Sequence, residues 1–154
     1  MSYICDVKFR VKIRTDHAND QPQVTDASLL VLFTADLKAW NKSPVRYWVN
    51  ASKAVAELLV GWIKPFREGR EWLQRDEAQR SIGMAIQTFM LAAQNLSYQS
   101  CPMIGFDIEG LAKLVNLPDD HVMGPLITVG KGIKDPWPKP GKIPLDELVV
   151  EDSF

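Results

Sequence analysis

Residues 28–35 (SLLVLFTA) constrain the fold more than any other stretch of this chain. A continuous apolar run of strand length predicts a strand buried on both faces, because a half-exposed strand would alternate apolar with polar. Such a strand needs helices on both sides of its sheet. Two helical patterns can supply that cover. In residues 71–96, Ile82, Ile86, Phe89, Ala93 and Leu96 recur three or four apart, one face of a helix with about 3.6 residues per turn. The small residues Gly83, Ala85, Ala92 and Ala93 would admit a close neighbour. A second helix is expected over residues 44–65, with Ser43 as its cap, Pro44 at its first position and Pro65 at its end.

The rest of the chain punctuates this frame. Residues 3–7 are β-prone, and Val7, Phe9, Val11 and Ile13 alternate as in a strand, although a basic helix over the same stretch is an equal reading. Gln21-Pro22-Gln23 breaks what precedes it. Residues 101–106 form an apolar turn or short strand, Asp107 caps a helix that Pro118 stops, and residues 122–129 read as a strand interrupted early by Gly124-Pro125. Pro136, Pro138, Pro140 and Pro144 force an extended tail, since proline cannot continue a helix. Residues 145–150 are β-prone without a local partner, a pattern expected to lie along a sheet edge. The expectation is one α/β domain over residues 1–154, with 135–154 as an extended C-terminal arm.

Eighteen Lys and Arg against nineteen Asp and Glu give a net charge of -1. That balance argues against a nucleic-acid or polybasic membrane surface. The longest apolar run is far short of the roughly 20 residues a spanning helix needs. Two cysteines, Cys5 and Cys101, are too few for a disulfide framework and point to a reducing cytoplasm. His17 and His121 have no second ligand at metal spacing, so no metal site is expected. Gly130-Lys131-Gly132 follows a strand but leads into prolines rather than a helix, so no helix N-terminus faces an anion there. With Asp119-Asp120 and Glu151-Asp152 expected in solvated loop and tail positions, no side chain stands out as catalytic. A cofactor would have to supply the chemistry.

Five stretches together resemble the nitroreductase family of FMN-dependent reductases. They are residues 21–28 (QPQVTDAS), 67–70 (REGR), the helix end 90–93 (MLAA), 101–107 (CPMIGFD), and the tail 137–141 (WPKPG) with Pro144-Leu145. The CPMIGFD run is the most specific. The Arg-Arg-Ser and Asn-x-Gln-Pro-Trp type motifs that open relatives do not occur in these residues, so the resemblance implies a member lacking the N-terminal FMN-binding segment. Relatives often place an Asn where this chain has Asp20 and, in some, a Lys where it has Gln23.

The resemblance implies a three-layer fold, a mixed sheet flanked by helices, in an intertwined homodimer whose arms cross between protomers. It implies FMN as cofactor and NAD(P)H as electron donor, with a nitroaromatic or quinone as acceptor. Pro102, Met103, Ile104 and Gly105 would lie against the flavin with a main-chain N–H near N5, and Lys139 would meet the phosphate, with Lys134 and Lys142 as alternatives of register. One of Trp40, Trp48, Trp62, Trp72 and Trp137 could cover a flavin face. The alternative is a non-catalytic relative that serves as a structural fragment or partner subunit.

Overall fold

The computed structural model describes residues 2–153. The apolar run becomes β2 (Leu29–Asp36), the centre of a four-stranded sheet ordered β1-β2-β4-β3 with β1 at Ser2–Ile4, β3 at Gln99–Met103 and β4 at His121–Gly130. Where a mixed sheet was expected, every pairing among the described residues is antiparallel. Gly124-Pro125 does not interrupt β4. Leu32 pairs Leu126 and Thr34 pairs Met123, so one extra residue is absorbed as a bulge in β4, a position that tolerates a proline without an N–H.

β2 is buried on both faces, and its alternate residues feed two cores. Leu30 and Leu32 pack with Leu126, Met103, Ile13, Val24 and Leu111 on one side. Val31 and Phe33 pack with Ile127, Val129, Ile82, Ile86 and Ala93 on the other. The first side is covered by α1 (Val7–Lys12), α2 (Gln23–Asp26) and α5 (Ile108–Leu114); the second by α4 (Glu71–Asn95). Three layers result, as expected. α4 comes close because Gly124 has no side chain: a Cβ there would stand 2.5 Å from Cγ2 of Ile82. Gly83, by contrast, faces open space.

The ambiguous stretch after β1 resolves as helix. Asp6 accepts a hydrogen bond from the N–H of Phe9 at 2.7 Å and caps α1. Phe9 and Ile13 then face inward while Val7 and Val11 face water. Alternation at 7, 9, 11 and 13 contains both i, i+4 pairs, which is why a strand and a helix read alike. Arg10 is buried, its guanidinium donating to the carbonyls of Val24 (2.8 Å) and Ala27 (2.5 Å) and tying α1 to α2.

Three expectations are corrected. Ser43 is left-handed and caps nothing, and Pro44 opens only a short 3-10 turn, Pro44–Trp48. The real helix, α3, runs Lys53–Arg67 with Ser52 as its cap. Pro65 lies inside that helix rather than ending it; only one ladder bond is lost to the missing N–H, so another half-turn can follow. The β-prone residues 145–150 include a short helix, α6 (Leu145–Leu148), and no strand. No helix among the described residues is long and apolar enough to cross a membrane.

Candidate functional site

The turn that follows β3 is built outward from the core that Met103 shares with Leu126. Pro102 and Met103 pair with Ile127 and Leu126 of β4, and the Met103 side chain is buried. Ile104, one residue on, is 75% exposed, and a Cβ placed on Gly105 would meet no atom within 4 Å. The chain thus emerges from the sheet into open space within two residues. Asp107 then caps α5, accepting from the N–H of Gly110 at 2.9 Å. That bond, with a second from His17 at 3.2 Å, holds the Asp107 carboxyl below the usual range.

A second loop meets this turn from 84 to 90 residues away in sequence. α1 continues into a π-helical turn, Ile13–His17, and the chain reverses through Asn19 and Asp20, both left-handed at φ 49° and 52°. Asn and Asp tolerate that region better than other side chains. The reversal aims two amides at one acceptor. Nδ2 of Asn19 donates to the Gly105 carbonyl at 2.9 Å, and Nε2 of Gln21 donates to the same oxygen at 3.1 Å. The N–H of Asp107 donates to the His17 carbonyl at 2.7 Å, and the N–H of Phe106 to the Ile104 carbonyl at 3.0 Å. The N–H groups of Ile104 and Gly105 are left with no hydrogen-bond partner among the described residues.

Charge nearby is balanced. Asp20 is paired with Arg14 at 2.7 Å, and Arg14 also donates to the Thr25 hydroxyl at 3.0 Å. The anion that Asp20 would present to a ligand is therefore partly neutralised. Gln23 donates to the Gln21 side chain at 2.9 Å.

The structure gathers Pro102, Met103, Ile104 and Gly105 but not Lys139, which is exposed in the arm and forms no ion pair among the described residues. A shallow concavity in the arm is lined by Pro140, Gly141, Lys142, Ile143, Pro144 and Glu147 alone, so it is a bend of the arm on itself rather than part of the turn. Trp62, Trp72 and Trp137 are exposed; the Trp40 and Trp48 indole N–H groups are buried with no hydrogen-bond partner among the described residues. Lys131 of the Gly-Lys-Gly stretch donates to the Ser97 carbonyl and lies over the Tyr98 ring. Asp36, Asp120 and His121 converge at the far end of β2 and β4, where the Lys42 ammonium lies 2.8 Å from Asp36 and 2.6 Å from Asp120. Reasoning from local pattern missed Asn19 and Gln21. The adjacent Asn19-Asp20 pair was the available signal, since it marks a reversal.

A family model described as the nitroreductase family matches residues 6–131, which include the turn and its partner loop but not Lys139. Protein DrgA of Synechocystis sp. is 52% identical over 151 residues, covering 95% of this chain and 71% of that protein. MhqN of Bacillus subtilis, whose name proposes an NAD(P)H nitroreductase, is 31% identical over 132 residues, covering 82% of this chain and 63% of that protein. A protein of Exiguobacterium sibiricum solved in complex with FMN shares the fold at a TM-score of 0.86 with 18% identity, covering 98% of this chain and 76% of that one.

Proposed function

Because this chain belongs to the nitroreductase family, we propose that it is an FMN-dependent oxidoreductase passing electrons from NAD(P)H to a nitroaromatic compound or a quinone. One observation carries the reading. The turn at 104–105 presents two unpartnered main-chain N–H groups beside a glycine with open space above it. A planar ring with acceptor atoms on its edge suits such a place, and the FMN complex of a protein of this fold and the name of MhqN agree with it.

When bound, FMN supplies the two-electron chemistry that side chains cannot. The residues of this chain bind and orient. Met103, buried against Leu126, anchors the turn to the sheet. Gly105 lets the backbone approach a flat ligand. The N–H groups of Ile104 and Gly105 offer hydrogen bonds to its edge, and exposed Ile104 offers apolar contact. Lys139 is assigned to the phosphate, and Pro102 to shaping the turn.

The same reading takes residues 1–154 as one domain, working in the cytoplasm as a homodimer. Support comes from apolar surface that one copy leaves bare: Val55, Leu58, Trp62 and Phe66 along α3, and Trp137, Leu145 and Leu148 in the arm. Contiguous exposed apolar surface marks a contact site.

Flavin titration of the purified chain, with sedimentation in parallel, tests the reading. Saturable FMN binding by a dimer that oxidises NAD(P)H is expected; a folded chain that binds no flavin refutes it. Lys139→Ala should weaken FMN by about 1–3 kcal/mol, the range of a charge-assisted contact, and leave riboflavin nearly unchanged. Equal losses for both ligands would remove Lys139 from the phosphate.

A further inference from the structure

We propose that Asn19 and Gln21 are positioning residues, a two-amide clamp on the Gly105 carbonyl that keeps the Gly105 N–H turned toward the ligand. The inference rests on the FMN reading above and goes beyond it, because neither side chain needs to touch the flavin.

The argument follows the peptide planes. A carbonyl oxygen has two lone pairs, and both on Gly105 are taken, one by Nδ2 of Asn19 and one by Nε2 of Gln21. That fixes the plane shared by the Gly105 carbonyl and the Phe106 N–H. The Phe106 N–H in turn donates to the Ile104 carbonyl at 3.0 Å, which fixes the next plane back, shared by the Ile104 carbonyl and the Gly105 N–H. The free donor is therefore aimed by a relay of two planes that begins at the clamp. A clamp is needed because glycine, without a Cβ, resists rotation of its flanking peptides less than any other residue, and here nothing lies above it. The clamp is itself held: Asn19 sits in a left-handed reversal, and Gln21 accepts from Gln23 at 2.9 Å.

The test compares the wild-type chain with Asn19→Gly, Gln21→Ala and the double variant. Glycine keeps the left-handed backbone at position 19 without strain while removing the amide. Gln21→Glu is a second, isosteric variant that replaces a donor by an acceptor. The measurements are affinities for FMN and riboflavin, exchange of the Phe106 amide hydrogen without flavin, and the melting temperature.

Either amide alone can hold the carbonyl, so each single variant should lose about 3-fold in affinity and the double about 30-fold, the scale of one to two hydrogen bonds. The loss should be equal for FMN and riboflavin, since the clamp acts at the ring end. Phe106 exchange should accelerate about 10-fold in the double variant, from the same loss of bonds, with the melting temperature nearly kept. Unchanged affinities in the double variant overturn the clamp while leaving the FMN reading intact. A loss confined to FMN also overturns it, since that would place the effect at the phosphate. A wild-type chain that binds neither flavin overturns both.

Discussion

The clamped turn with its sheet and the α3 helix with its arm solve opposite problems. In the sheet, Leu30, Leu32, Leu126 and Ile127 are at most 1% exposed, each core residue finding its cover within the same chain. α3 separates apolar from polar residues more sharply than α4 does, yet among its fifteen residues only Ala56 is buried. The arm likewise leaves Trp137 and Leu145 in water. An amphipathic helix normally owes its stability to the surface its apolar face covers. The sheet region carries such surfaces within itself, whereas α3 and the arm are patterned for one that a single copy does not provide.

The largest expected effect tests that division directly. Leu126→Ala, at a fully buried site, should lower unfolding free energy by about 3 kcal/mol, the cost of a large-to-small change in a closed core. Trp62→Ala removes a bigger side chain from a 63% exposed site and should change the stability of the monomer by about 0.5 kcal/mol or less, while weakening self-association. Denaturation at falling protein concentrations, with sedimentation, reads both. Comparable losses for the two variants in dilute monomer would break the comparison.

A smaller pair of changes sharpens it. Asp6 and Ser52 both cap helices, at 2.7 and 3.4 Å. α1 is bound into the core through buried Arg10, so Asp6→Ala should cost about 1 kcal/mol of global stability. α3 can open without the core, so Ser52→Ala should speed amide exchange within α3 and barely move the global transition. Equal global losses would mean that α3 unfolds with the sheet.

The two regions also differ in how far the sequence discloses them. The both-face burial of β2 and the inward stripe of Ile82, Ile86, Phe89 and Ala93 follow from local periodicity, and the structure has them so; Leu96, expected to continue that stripe, lies just past the end of α4 and is exposed. The CPMIGFD stretch marked the turn. The start of α3 was misread because Ser43-Pro44 has cap chemistry but a left-handed backbone, while the effective cap is Ser52. The clamp was out of reach for a different reason: Asn19 and Gln21 act on a carbonyl 86 and 84 residues away, and no local pattern encodes so distant a bond. Lys139 was named by family resemblance alone, and in the structure it is exposed in the arm, apart from the turn.

The smallest effect lies at the seam between the regions. Lys42, between β2 and α3, bridges Asp36 at the end of β2 and Asp120 before β4, while the Leu37 N–H donates to the Asp120 carbonyl at 2.8 Å. At Asp36, burial opposes ionisation, but hydrogen bonds from Lys42 and the Lys38 N–H outweigh it and hold the carboxyl below its ordinary 3.8. Asp120 is lowered by Lys42 and then His121, and Lys42 is raised above 10.5 by Asp120 and Asp36. Depressed carboxylates stabilise the fold fully above 3.8 and cease to as pH falls through their lowered values. The raised ammonium stabilises fully below 10.5 and ceases to as pH climbs through its raised value. The seam should therefore hold evenly between those limits. Protection of the Leu37 amide, corrected for intrinsic exchange, should be flat across neutral pH and fall only in acid below 3.8 or in alkali above 10.5. Lys42→Met should abolish the alkaline step at Leu37 and shrink the acid one, since the Lys38 N–H still binds Asp36 and His121 still binds Asp120, and should leave in full an acid step at Gly110, whose N–H is bound to the separately lowered Asp107. An alkaline step at Leu37 that persists in Lys42→Met, with the acid step undiminished, would show that the sheet alone holds the start of the segment after β2, and that the junction between the two regions lies beyond Lys42.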